Sequence, residues 1–280
     1  MSFAQLICAS ALAERLNDPQ VVIFDCRFAL TDPAYGLSTY QKAHLPNAHF
    51  LDLEKDLSAQ VVKGVTGRHP LPNPETLSQT LATLGLNQDS TVVLYDDDNG
   101  AFAARAWWLL LWLGKTADVY VLDGGFNAWQ KANGPVTQKL SQPQEGNFTA
   151  SVNPDLLVQA DEVLSLISNE QAALFDARAL PRFKGEVEPL DPVAGHIPTA
   201  VCLPFTENVD EQGHFLTPEL LAERFKALNQ HALKIAYCGS GVTACHNIFA
   251  MDLAGLGLAK LYAGSWSEWI NSPDRPVARG

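Results

Sequence analysis

The sequence predicts an α/β fold built from two tandem domains of similar design, each a parallel sheet flanked by helices. Three observations predict it. One pattern of motifs occurs twice along the 280 residues, which marks a duplicated unit. Within each copy, short apolar runs alternate with amphipathic helical stretches, as βα units around a parallel sheet do. A stretch rich in Gln, Ser, Pro and Asn, with no sustained period, separates the copies at residues 138–154 and reads as a linker. The expected division is a domain at 1–137, the linker at 138–154 and a second domain at 155–280.

The elements recur in the same order. Val21-Val22-Ile23-Phe24 runs into Asp25-Cys26-Arg27 and returns as Ala172-Ala173-Leu174-Phe175 running into Asp176-Ala177-Arg178. The turn His44-Leu45-Pro46-Asn47-Ala48 returns as His196-Ile197-Pro198-Thr199-Ala200. Helices are expected from Pro74-Glu75 and from Pro218-Glu219, because proline and an acid suit a first helical turn. Val92-Val93-Leu94-Tyr95 matches Lys234-Ile235-Ala236-Tyr237 as a buried strand, and Gly124 to Trp129 matches Gly264 to Trp269. Between them, Trp107 to Leu113 is wholly apolar over seven residues. That is far short of the roughly 20 a bilayer requires, so it predicts a buried core helix.

Composition narrows the function. With 47% hydrophobic and 18% charged residues, the chain is an ordinary globular protein with no long disordered span. A formal net charge of -12 argues against nucleic acid and anionic membrane as partners, and an anionic substrate must be attracted locally. The five cysteines form no CxxC pair and no zinc-spaced Cys/His set, so no structural metal and no disulfide scaffold is expected. A reducing, cytoplasmic compartment follows, and the first residues carry no basic region of a secretory signal.

The chemistry is concentrated in Cys238-Gly239-Ser240-Gly241-Val242-Thr243-Ala244, between a predicted strand and an apolar helix. Two glycines let successive N–H groups turn inward, and the helix start adds partial positive charge. A cysteine at such a rim is expected to ionise readily and to carry an anionic sulfur. At the equivalent place in the first copy stands Asp96-Asp97-Asp98-Asn99-Gly100. Three acids there repel an anion, so that copy cannot run the same reaction and is expected to be structural. Consecutive acids form a solvated turn more often than a metal site.

Taken together, the duplicated Asp-x-Arg strands, the duplicated His-[Ile/Leu]-Pro turns, the loop from Cys238 to Ala244 and the closing Gly264-Ser265-Trp266-Ser267-Glu268-Trp269 resemble the tandem-domain rhodanese-type sulfurtransferases over nearly the whole chain. Within that group the loop resembles that of 3-mercaptopyruvate users, since thiosulfate users carry basic residues where Gly239 and Ser240 stand. The resemblance implies that Cys238 takes a sulfane sulfur from a small anionic donor and passes it to a thiol, such as thioredoxin or a small thiol, or to cyanide, with no metal or organic cofactor. It also implies substrate contacts from Gly239, Gly241, Val242 and Thr243, and a donor-anion role for Arg182. Ser240 either hydrogen-bonds the donor carbonyl or relays a proton, or else only caps the helix. The resemblance further associates His44 with that serine, although its repetition as His196 favours a turn-holding role.

Several readings compete. Arg182 can serve the donor or pair with Glu186 or Glu188. Arg178, repeated as Arg27 in the copy without the thiol, reads as structural. A second arginine usual after Glu-Pro in mercaptopyruvate enzymes is absent, since Leu190 and Asp191 follow Glu188-Pro189, and this keeps thiosulfate open as the donor. The stretch Gly239 to Ala244 also fits a dinucleotide fingerprint, but the next strand region lacks the acid that the fingerprint requires. A related phosphatase would need an arginine where Ala244 stands. A non-enzymatic binding or redox-sensing module is the remaining alternative.

Overall fold

The computed structural model describes residues 2–169 and 172–280. They form two compact units, one of Met1–Ala59, Pro72–Asn153 and Val209–Phe215, the other of Gln60–Leu71, Pro154–Asn208 and Leu216–Gly280. Each unit thus includes a short segment from the other half of the chain.

The first unit contains β1 (Gln5–Ile7), α1 (Ala9–Arg15), β2 (Val21–Asp25), α2 (Tyr35–Lys42), β3 (Ala48–Phe50), α3 (Pro74–Thr83), β4 (Thr91–Tyr95), α4 (Ala103–Trp112), β5 (Val119–Leu122) and α5 (Gly125–Lys131). Its five strands run parallel in the order β1-β5-β4-β2-β3. Every residue of β4 is buried, as a central parallel strand covered on both faces requires. The apolar run expected to be a core helix lies in α4, all of whose residues are buried. Asn73 caps α3 by accepting from the Thr76 N–H at 2.9 Å, and Pro74 follows where a missing N–H costs nothing.

The second unit repeats the plan with α6 (Ala160–Ser168), β6 (Ala172–Asp176), α7 (Leu180–Lys184), β7 (Val201–Cys202), α8 (Pro218–Arg224), β8 (Leu233–Tyr237), α9 (Thr243–Leu253), β9 (Lys260–Leu261) and α10 (Ser265–Trp269). Its four strands are parallel, in the order β7-β6-β8-β9. On one side of this sheet, Ile235 of β8 packs in a cluster with Val163, Tyr262, Trp266 and Trp269. Among the described residues no helix is long and apolar enough to cross a membrane.

The duplicated motifs close the same lock twice. Asp25 ends β2 beside Tyr95 of β4, and Asp176 ends β6 beside Tyr237 of β8. The Arg27 Nε and Nη2 donate to Asp25 at 2.6–3.0 Å and Nη2 also to the Ala43 carbonyl, while the ring of Phe126 lies 4.3 Å below the guanidinium. Arg178 repeats these bonds with Asp176 and the Gly195 carbonyl, over Trp266 at 4.8 Å. Burial lowers the Arg178 pKa, but Asp176, with Tyr237 and Glu188, holds it above the ordinary arginine value. The two turn histidines also match. His44 stacks on Tyr40 with Nδ1 at 2.6 Å from its carbonyl, and His196 stacks on Phe183 with Nδ1 at 2.8 Å from that carbonyl.

Where the copies differ, the first unit supplies its own anion. Asp96 follows β4 as Cys238 follows β8, and its carboxylate accepts the N–H groups of Gly100, Phe102 and Ala103 at 2.8–3.2 Å. Its side chain is buried rather than solvated as the sequence suggested, and burial pushes its pKa up to about 6 against the pull of those three donors. Asp97 accepts from the Tyr35 hydroxyl at 3.0 Å. No cluster among the described residues could hold a metal ion.

Candidate active site

Cys238 sits at the carboxyl end of the central strand β8, where open parallel sheets place their ligand crevices. The strand stops because Gly239 and Gly241 interrupt it. Gly241 has φ +81°, and a side chain there would meet the Ala263 carbonyl oxygen at 2.3 Å, so only glycine makes this turn. The turn brings the Gly241 N–H to 3.1 Å from the Cys238 sulfur. Val242 then caps α9 and Thr243 opens it, so the end of the loop presents helix-start N–H groups that have no acceptor within the helix.

The closing motif of each copy anchors this loop from below. The N–H groups of Trp266 and Ser267 donate to the carbonyls of Cys238 and Gly239 at 3.0 and 2.9 Å. Phe126 and Asn127 do the same for Asp96 and Asp97. These bonds hold the loop carbonyls, while the Gly241 N–H is the one bonded to the sulfur. One difference is specific to the thiol-bearing copy. Ser265 replaces Gly125 and adopts φ +53°, a strained conformation for a serine. Its hydroxyl accepts the Cys238 N–H at 3.1 Å and donates to the Tyr262 carbonyl at 2.9 Å.

The Cys238 side is almost closed to solvent, with Cys238 2% and Ser240 7% exposed. Ser240 points to His69, whose Nδ1 lies 2.7 Å from the serine oxygen. His69 belongs to Gln60–Leu71, the segment of the first half of the chain that forms part of the second unit. His44 lies in the first unit with its ring nitrogens 2.6 and 3.2 Å from the carbonyls of Tyr40 and Lys139. The histidine on the serine is therefore His69, and both His44 nitrogens are engaged in holding their own turn.

Arg182, on the short helix α7, lies over the loop. A side-chain carbon added at Gly239 would fall 3.6 Å from both of its terminal nitrogens. Glu188 steadies it through bonds of 2.7–3.2 Å to Nε and Nη2. Arg182 thus pairs with Glu188, as one of its two readings expected, and does so beside the Cys238 loop. Burial would raise the Glu188 pKa, but bonds from Arg182 and from the N–H groups of Leu190 and Asp191 bring it below the usual carboxylate value. A second guanidinium, absent from the sequence expectation, also overhangs the loop. Arg68 Nη2 lies 2.8 Å from the same added carbon, Arg68 pairs with Asp191, and its backbone N–H donates to Ser267 Oγ at 3.0 Å. A side chain at position 239 would have to displace the Arg68 guanidinium from its place over the loop. Burial pushes the Asp191 carboxyl up despite its cationic neighbours. Cys245 and His246, next along α9, are buried and bonded within the unit, Cys245 to the Gly241 carbonyl and His246 to Asn208.

A buried sulfur bonded by an amide, under two guanidiniums and beside a serine–histidine pair, suits capture and transfer of an anionic sulfur group. Comparisons with known proteins agree. The model of the rhodanese-like domain matches residues 9–132 and 159–272. The chain is 57% identical over its full length to a Pseudomonas aeruginosa protein named "Probable 3-mercaptopyruvate sulfurtransferase", with 100% of both chains covered. It is 33% identical to the thiosulfate sulfurtransferase of Rattus norvegicus, covering 99% of this chain and 96% of that one. A solved Escherichia coli 3-mercaptopyruvate sulfotransferase superposes with a TM-score of 0.83 at 35% identity, covering 95% of this chain and all of that one. The chain therefore belongs to the rhodanese-like family, as a sulfurtransferase of two tandem rhodanese domains.

Proposed function

We propose that the protein is a 3-mercaptopyruvate sulfurtransferase in which Cys238 carries the sulfur. The observation that carries this reading is the neutral loop around Cys238, bonded to its sulfur through the Gly241 N–H at 3.1 Å, with its positive charge supplied from above by arginines. The 57% identical full-length relative supports the same donor. Rhodanese itself, with thiosulfate as donor, is the competing reading, and the rat relative carries that name.

In the first half-reaction the Cys238 thiolate attacks the donor's sulfur. An S–S bond forms, the donor's C–S bond breaks, and its electron pair leaves as the enolate of pyruvate, which takes up a proton. The Ser240 hydroxyl, oriented by His69 at 2.7 Å, is placed to hydrogen-bond the carbonyl oxygen as it gains charge and to relay that proton. In the second half-reaction an acceptor thiolate, of thioredoxin or a small thiol, or cyanide, attacks the outer sulfur of the persulfide. The S–S bond breaks and the electron pair returns to Cys238. The loop N–H groups stabilise the anionic sulfur in both states.

The test is a direct comparison of kcat/KM for mercaptopyruvate and thiosulfate with cyanide as acceptor. Preference for mercaptopyruvate supports the reading, preference for thiosulfate reverses the donor, and no thiocyanate from either rejects sulfur transfer. Arg182→Ala is expected to raise the KM for mercaptopyruvate about 10- to 100-fold with a smaller change in kcat, since charge-assisted hydrogen bonds contribute roughly 1.5–3 kcal/mol. An unchanged KM would make Arg182 structural.

A further inference from the structure

Past the Glu188-Pro189 pair, position 191 carries an aspartate and not an arginine, and that aspartate holds two guanidiniums. Asp191 is buried, its side chain 4% exposed, and it pairs with Arg68 through Oδ1 and with Arg182 Nη2 through Oδ2 at 3.3 Å. The two guanidiniums are thereby joined through one carboxylate on the same side of the Cys238 loop. Both lie over the Cα of Gly239, at 2.8 and 3.6 Å from the point a side chain would occupy. Nη1 of Arg182 takes no part in its bonds to Glu188 and Asp191, and Arg68 uses Nη1 for Asp191, so its Nη2 is the nitrogen nearest the loop. Each arginine thus offers the loop a nitrogen that its anchoring carboxylate leaves aside. Arg68 is also adjacent to His69, and its backbone is fixed to Ser267 of α10, so its stem is held where the loop is held. Its side chain is 30% exposed, which keeps the guanidinium within reach of an entering anion.

We propose that Arg68 is the second donor-binding residue of this site, with Asp191 as its positioning residue, so that a single carboxylate is bridged between Arg68 and Arg182 above Cys238. This rests on the donor reading given above, because a small 2-oxo acid has one carboxylate to bridge. Two guanidiniums held by one buried anion form a preorganised fork that costs little further side-chain ordering on binding.

The experiment measures binding without turnover. Pyruvate, the product anion, should slow alkylation of Cys238 by iodoacetamide, followed by mass spectrometry of the Cys238 peptide in the full-length protein. R68M is expected to weaken the protection constant for pyruvate by ~10-fold or more. R68K should restore only part of it, since an ammonium lacks the planar fork that meets Asp191 and a ligand together. Because R68M leaves buried Asp191 with Arg182 alone of its two partners, R68M/D191N is made alongside and is expected to show the same loss. Protection by pyruvate equal to wild type in R68M/D191N, or no protection of the wild-type protein at saturating pyruvate, overturns the proposal. Turnover of mercaptopyruvate by the wild-type protein is read separately, so a failed clamp and a failed donor assignment give different results.

Discussion

Cys238→Ser is expected to abolish sulfur transfer from either donor, by a factor on the order of 10⁴ or more, as loss of a nucleophile does elsewhere. The oxygen cannot stand in for the sulfur, because a serine hydroxyl is neither ionised near neutral pH nor able to hold a sulfane sulfur against cyanide. The fold should be unaffected. The side chain is nearly isosteric, and the carbonyl and N–H of residue 238 are held by Trp266 and Ser265 independently of the sulfur. The measurement is thiocyanate release with mercaptopyruvate and cyanide, together with a thermal melt. Appreciable turnover at unchanged stability would remove Cys238 from the mechanism.

Asp176→Ala is expected to have the largest effect on stability. It would leave the Arg178 guanidinium, 1% exposed, without the carboxylate that receives its Nε and Nη2. Removing one partner of a buried ion pair costs about 3–5 kcal/mol, whereas replacing both by apolar groups costs far less. The melting temperature should fall by roughly 10 °C for a unit of this size. Asp176→Leu with Arg178→Met should recover much of that loss. If the single variant melts like wild type, Glu188, at 3.3 Å from Arg178 Nη1, already satisfies the arginine.

The α/β plan was legible because each copy carries the same punctuation, and periodicity reports which runs are buried. The Cys238 loop was legible because glycine spacing around a thiol has a backbone meaning. Arg68 and His69 were not. They lie in Gln60–Leu71, between β3 and α3 of the first half, yet they belong to the second unit. A reading organised by chain order and by the repeat assigns that stretch to the copy without the thiol and passes over it. Its cluster of Gly67, Arg68, His69 and Pro70 was the available signal. Reading the Asp-x-Arg arginines as structural depended on comparing the two copies, and the bonds of Arg27 and Arg178 show the same geometry in each. Ser265 could not be anticipated either, since its value lies in a left-handed backbone that places its hydroxyl on the Cys238 N–H.

Asp96 fixes a stoichiometry. Its carboxylate fills the position in the first unit that corresponds to Cys238 and accepts the backbone N–H groups of Gly100, Phe102 and Ala103. Under the proposed mechanism, sulfur loading is thereby confined to the other half of the duplication. A chain charged with excess donor, freed of that donor by desalting and then treated with cyanide should yield a single equivalent of thiocyanate per polypeptide, however many times the rhodanese pattern is written in the gene.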